Sequence, residues 1–169
     1  MEHAARATDL SMRFADAMTR FVAQVEHAPA DVAARPPAHG GWSVAQIAWH
    51  LGTINNAFAD LIDGTIPNAR PAPDGYLEMP WGAIIASVPG KLEAPERFRP
   101  PAVVSRDAAI SLLKASSDRL TGALATLTLE RGHLTVKSIL GLITVYQVGE
   151  WAIAHVYRHA EQAGRALDI

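Results

Sequence analysis

The sequence predicts an all-α protein, a four-helix bundle with a long proline-rich crossover between its second and third helices. Four segments carry apolar residues at helical spacing. Eight of the eleven prolines fall between the second and third segments, from Thr65 to Pro101. Strand-like alternation of apolar and polar residues is nearly absent. A connection of this length can join two helices that run in the same direction.

The expected helices follow from the apolar stripes and from signals at their ends. Ser43 with Gln46, and Thr144 with Gln147, form two capping boxes, in which side chain and backbone satisfy each other at a helix start. Gly64 is a typical helix stop. The four helices are expected at about residues 8–27, 43–63, 105–127 and 144–166, with a short helix near Trp81–Ser87 in the crossover.

Length and composition indicate one globular domain, expected to span residues 1–169. A formal net charge of -2 argues against sequence-independent binding to nucleic acid, which needs a basic face. No segment is apolar enough for a membrane span, and no signal peptide is recognisable, so a cytoplasmic protein is expected. Because there is no cysteine, any metal must be bound by His, Asp or Glu. Any thiol chemistry would need a thiol from the substrate.

Three histidines fall on the predicted inward faces. His155 and His159 are four residues apart in the fourth helix, so they lie on the same face one turn apart. The zinc motif H-E-x-x-H uses this spacing, but Val156 stands where its glutamate would be, which argues against a metalloprotease. His50 lies on the buried stripe of the second helix and is the natural candidate for a third ligand; the alternative is a core histidine satisfied by hydrogen bonds. Buried imidazoles without partners are costly to desolvate, so three of them favour a shared metal ion.

The remaining polar patterns are weaker. Four further histidines lie at helix edges or in turns and are expected to be solvated surface residues: His3, His27, His39 and His133. No G-x-S-x-G nucleophile motif is present. The glycines are isolated turn residues and do not form a phosphate-binding loop.

Two motifs resemble those of the DinB-like superfamily. The segment G-W-S-V-A-Q-I-A-W-H-L at 41–51 is similar to its W-S-x-x-x-x-x-x-H-L signature. The segment L-G-L-I-T-V-Y-Q-V-G-E-W-A-I-A-H-V-Y-R-H-A-E-Q at 140–162 resembles its closing helix, with the pattern H-x-x-R-H-x-x-Q. The segment L-E-A-P-E-R-F-R-P at 92–100 resembles the long linker of its second subgroup.

This resemblance implies a four-helix bundle with one long crossover, commonly a homodimer. It also implies a divalent metal ion, typically zinc or nickel, on three histidines that correspond to His50, His155 and His159. Characterised members are metal-dependent hydrolases or transferases that act with low-molecular-weight thiols such as mycothiol and bacillithiol. The family name does not imply DNA binding, in agreement with the net charge.

Two hypotheses about function stay open on the sequence alone. The first is a metal-dependent thiol S-transferase, or a hydrolase if water replaces the thiol, acting on a small molecule. Gln162 shares the inward stripe and the family pattern, so it ranks ahead of Glu150, Tyr146 and Tyr157 as a residue that supports the ligands. The second is a non-catalytic, stress-related helical dimer with a structural or vestigial metal site. A closed shell of four ligands would favour the second, and an open position the first.

Overall fold

The computed structural model describes residues 2–38, 40–87 and 93–167, and most of them are helical. The prediction of a mainly helical protein is confirmed. In chain order the α-helices are α1 (His3–His27), α2 (Ala30–Ala34), α3 (Val44–Asp63), α4 (Ala83–Ser87), α5 (Arg106–Ala125), α6 (Leu129–Gly132) and α7 (Val145–Ala166). Within the described parts of the chain, each helix is too short or too polar to span a bilayer.

Both predicted capping boxes are present. At the start of α3, Ser43 Oγ accepts the Gln46 N–H at 3.2 Å, and Gln46 Oε1 accepts the Ser43 N–H at 3.0 Å. Thr144 and Gln147 form the same pair of bonds at the start of α7. Gly64 ends α3 with a φ of 92°, a conformation that glycine adopts without strain.

The four long helices pack through the faces that the sequence predicts. Helix α1 packs against α5 and α7, and α3 packs against the same two helices. The apolar side chains between them are fully buried, including Leu10, Phe14, Ile47, Leu51, Leu113, Leu120, Leu124 and Val148. Their removal from water is the main source of stability for this arrangement.

A short β-hairpin precedes α7, although strand-like alternation is nearly absent from the sequence. Strands β1 (Thr135–Ser138) and β2 (Gly141–Thr144) are antiparallel, with Thr135 opposite Thr144. Thr144 is also the N-cap of α7, and the Val145 N–H donates to the Leu134 carbonyl at 2.9 Å. The hairpin therefore fixes where α7 begins.

The crossover between α3 and α5 contains the predicted short helix, α4, and a 3₁₀ turn at Glu96–Phe98. Residues 88–92 of the predicted connection lie outside the described residues. The first half of the crossover is attached to the helices by polar contacts. Arg6 Nη1 of α1 donates to both carboxylate oxygens of Glu78, at 2.8 and 3.0 Å. Gln147 Nε2 of α7 donates to the Met79 carbonyl at 3.0 Å.

Candidate metal centre

Three histidine side chains from two helices converge in the interior. We call His50 of α3 together with His155 and His159 of α7 the histidine triad. Their exposed fractions are 3%, 9% and 5%, so all three are buried. The Nε2 atoms of His155 and His159 are 3.0 Å apart, and one ring nitrogen of each histidine lies within 4.8 Å of the others. The triad is thus compact enough for one ion to contact all three rings.

In His50 and His159, a hydrogen bond on Nδ1 orients the imidazole ring. His50 Nδ1–H donates to the Phe98 backbone carbonyl at 2.7 Å, and a carbonyl can only accept. His159 Nδ1–H donates to Gln162 Oε1 at 2.8 Å. Since a neutral imidazole carries one N–H, the Nε2 atoms of His50 and His159 keep a free lone pair. Metal-ligating histidines are typically held in this way.

His155 has no partner on its second nitrogen. Its Nδ1 atom is buried without a hydrogen bond. If His155 Nε2–H donates to His159 Nε2, the lone pair on Nδ1 is left buried and unpaired, which costs free energy. If the proton is on Nδ1, two Nε2 lone pairs face each other at 3.0 Å, an arrangement that a cation would stabilise.

The donor types and the separation of the two α7 nitrogens fit a divalent ion. Zinc binds imidazole nitrogen at about 2.0–2.1 Å, so two nitrogens bound tetrahedrally to one ion are about 3.3 Å apart. The His155 and His159 nitrogens are 3.0 Å apart, close to that value. Imidazole nitrogen suits zinc, nickel, copper and iron better than magnesium or calcium, which prefer oxygen.

The surroundings keep the triad uncharged. Burial lowers the pKa of all three histidines below their ordinary value of 6.5, for His159 to about 3. Repulsion within the triad and the positive charge of Arg158 lower the pKa of His155 and His159 further. Neutral imidazoles have the lone pair that a metal requires.

Aromatic rings and one cation border the triad. The Trp42 ring lies 4.8 Å from the His50 ring, centroid to centroid, and Phe58 meets His155 edge to face at 6.1 Å. Half-buried Arg158, in the turn of α7 between the two α7 histidines, lies near enough to act on their charge. The sequence reasoning did not single out Arg158, although the motif H-x-x-R-H contains it.

The other candidate residues occupy different places. Gln162 contacts His159, as described above. Glu150 is fully buried and accepts the Gly82 N–H, and Tyr146 is hydrogen-bonded to His3. Tyr157 is 39% exposed on the outer side of α7. These contacts direct Glu150 and Tyr146 towards the crossover and α1.

The four remaining histidines were expected on the surface. His27 and His133 are exposed, and His39 lies outside the described residues. For His3 the prediction was wrong, because it is half-buried against Tyr146. Helix α1 begins at His3, about one and a half turns earlier than predicted, and this brings the His3 ring onto the start of α7.

Comparison with protein families gives a match that covers residues 13–163 and therefore most of α1 through most of α7. The matching family is the DinB superfamily. This chain belongs to the DinB superfamily. The resemblance found in the two sequence motifs is confirmed. DinB-like proteins form a metal-binding helical superfamily, and the histidine triad of this member could hold a metal ion. No curated protein and no solved structure is similar enough to the chain to count as a match.

Proposed function

We propose that this DinB-superfamily protein is a divalent-metal-dependent enzyme that acts on a small molecule. The reaction is transfer of a low-molecular-weight thiol to an acceptor, or hydrolysis if water takes the place of the thiol. The observation that carries the proposal is the convergence of three buried imidazoles from two helices, two of them with Nε2 lone pairs fixed by hydrogen bonds on Nδ1.

His50, His155 and His159 are the proposed ligands of one zinc or nickel ion. Three protein ligands leave coordination positions open, and a bound divalent ion lowers the pKa of a thiol or water placed there towards neutrality. Gln162 supports the site by accepting the His159 Nδ1–H, which fixes the ring and raises the basicity of the opposite nitrogen. The chain has no cysteine, so the reactive thiol belongs to the substrate.

Arg158 favours an anionic reactant. Its positive charge is near enough to the triad to disfavour protonation of all three histidines. The same field stabilises a thiolate, hydroxide or carboxylate next to the imidazoles. Trp42 and Phe58 provide an apolar border, which strengthens such electrostatic interactions by excluding water.

The proposal extends to the molecule around the site. We propose that residues 1–169 form one domain, a four-helix bundle made of the four long helices, and that two copies form a cytoplasmic homodimer. The packing of α1 and α3 each against both α5 and α7 supports the bundle. The homodimer rests on the family. A net charge of -2 supports small-molecule partners over nucleic acid or an anionic membrane.

Metal analysis tests the site directly. The protein would be purified without chelator and its metal content measured by mass spectrometry. We expect about one zinc or nickel ion per chain, and loss of that ion in His155→Ala. His27→Ala is the matched control. Because His27 is exposed on α1, this variant should keep the metal. A wild type that remains metal-free after incubation with zinc and with nickel would overturn the proposal.

Turnover needs a separate assay. The metal-loaded protein would be incubated with mycothiol, bacillithiol or glutathione and an electrophilic acceptor, and thiol consumption would be followed. We expect consumption with at least one thiol, and none with His50→Ala. If the metal is bound and no thiol is consumed above the His50→Ala level, the thiol-transfer part of the proposal fails.

A structural metal site is the second candidate function, and the burial of the triad favours it. Since no triad histidine is more than 9% exposed, a substrate reaches the nitrogens only if neighbouring side chains move. Cobalt-substituted protein distinguishes a catalytic metal site from a structural one. An absorption spectrum that changes when thiol is added indicates an open position and favours catalysis, and a spectrum that stays the same indicates a closed structural shell.

A further inference from the structure

Two side chains of α3 hold the last part of the crossover, residues 93–102. Gln46 Nε2 donates to the carbonyls of Pro101 at 2.9 Å and Ala102 at 3.1 Å. His50 Nδ1–H donates to the Phe98 carbonyl at 2.7 Å. Gln46 and His50 are four residues apart in a helix, so both donors stand on one face, one turn from each other.

The 93–102 segment offers α3 acceptors rather than donors. Pro100 and Pro101 have no N–H group. The Phe98 N–H donates within the segment to the Pro95 carbonyl at 2.9 Å, and the Arg99 N–H donates to the Glu96 carbonyl at 3.0 Å. The three hydrogen bonds described between this segment and α3 all run from a donor on α3 to a carbonyl of the segment.

Gln46 makes bonds with both ends of its amide group. Its Oε1 accepts the Ser43 N–H in the capping box, and its Nε2 donates to the 93–102 segment. The two sets of bonds are separable, because the first needs an acceptor and the second needs a donor. Among the described residues, the hydrogen bond of the Ser43 hydroxyl is the one in the capping box.

We propose that Gln46 is a positioning residue for the metal centre. By holding Pro101 and Ala102 against α3, it keeps the Phe98 carbonyl on His50 Nδ1. That bond selects the tautomer of His50 whose Nε2 lone pair is free for the triad. The role in metal affinity rests on the proposed function, whereas the effect on the tautomer does not require a metal.

Three single variants of the full chain separate this role from helix capping. Gln46→Glu keeps the capping acceptor and loses the donor. Gln46→Met loses both without adding a charge that could itself attract a cation. Ser43→Ala weakens the capping box and keeps the Gln46 donor. For each variant, ¹⁵N NMR would report the His50 imidazole tautomer in metal-free protein, and competition with a chelator would give the zinc affinity.

We expect both Gln46 variants to shift His50 from the Nδ1–H tautomer to a mixture of tautomers. We expect their zinc affinity to fall about tenfold, the lower end of the range for residues that support ligands. Ser43→Ala should change neither quantity. An unchanged tautomer in both Gln46 variants, or an equal shift in Ser43→Ala, would overturn the inference. If wild type binds neither zinc nor nickel, the proposed function fails, and the tautomers of the metal-free proteins still decide the role of Gln46.

Discussion

The second ring nitrogen has a different environment in each imidazole of the triad. His50 donates to a backbone carbonyl, His159 donates to a side chain, and the second nitrogen of His155 is unpaired. The three histidines therefore differ in whether a substitution elsewhere in the chain can remove the partner of the second nitrogen. The partner of His159, Gln162, is the one that a direct substitution removes.

Replacing Gln162 should weaken metal binding without removing a ligand. Gln162→Leu takes away the acceptor on His159 Nδ1 and is expected to lower zinc affinity by about 10-fold or more. Gln162→Glu should keep the affinity, because a carboxylate accepts the same bond. Gln24→Leu is the control, since Gln24 also bonds to α7, at the Ala160 carbonyl, without contacting a triad histidine. Equal affinities for wild type and Gln162→Leu, measured by chelator competition, would exclude this role.

The lowered pKa values of the triad predict a loss of stability in acid. Between the folded and unfolded pKa values the unfolded chain binds more protons, so the free energy of unfolding rises with pH. For metal-free protein this contribution is complete above about pH 6.5 and is lost as the pH falls towards about 3, the pKa of His159. Urea unfolding at several pH values between 7.5 and 5.5 measures the slope of the free energy of unfolding against pH.

Two variants control that measurement. His159→Leu should reduce the slope, and His27→Ala should leave it unchanged because His27 is exposed. A free energy of unfolding that does not change with pH in the wild type would contradict the view that the triad is buried in the neutral form.

At the scale of elements, the helices that could be predicted are those with local signals at their ends. The start of α3 has a capping box and its end has Gly64, and both are encoded within a few residues. Helix α1 was predicted to start too late, because its N-cap residue, Glu2, makes no side-chain capping bond. The hairpin could not be predicted, because strands of four residues are too short to show a clear alternation of apolar and polar residues.

In the candidate site, too, some contacts could be predicted from local sequence and others could not. The meeting of His155 and His159 follows from helical spacing alone. The contact of His50 with them is tertiary, and it was predicted from a buried stripe together with the family resemblance. The Phe98 carbonyl could not be predicted, since every residue has a carbonyl and this one is 48 positions from His50. The same holds for the bonds from Gln46 to Pro101 and Ala102.

Two glycines, Gly132 at the end of α6 and Gly122 in α5, are expected to respond in opposite ways to substitution by alanine. A Cβ on Gly132 would lie 2.2 Å from the ring of Tyr146, which is fully buried. Gly132→Ala should therefore destabilise the protein by about 1–3 kcal/mol, the usual cost of overpacking. A Cβ on Gly122 of α5 would meet no atom within 4 Å, so Gly122→Ala should stabilise by up to about 1 kcal/mol through helix propensity. Thermal unfolding compares the two, and equal effects would refute the close packing of α6 on Tyr146.

At the scale of the whole molecule, the triad joins α3 and α7, which are separated along the chain by the crossover, α5 and the hairpin. An ion bound by the triad would therefore bind the folded state and not the unfolded chain. Zinc at 100 times its dissociation constant is expected to raise the free energy of unfolding by about 2.7 kcal/mol. His50→Ala should remove the gain, because one helix then supplies no ligand. A gain of equal size in His50→Ala, measured by urea unfolding, would mean that zinc binds elsewhere.

The most direct test of the central claim is the location of the metal ion in a crystal of the zinc-loaded protein. Diffraction data recorded on both sides of the zinc absorption edge would give an anomalous difference map. The account predicts one strong peak within bonding distance of a ring nitrogen of His50, His155 and His159. A peak only at surface residues, with no peak between the three imidazoles, would contradict it.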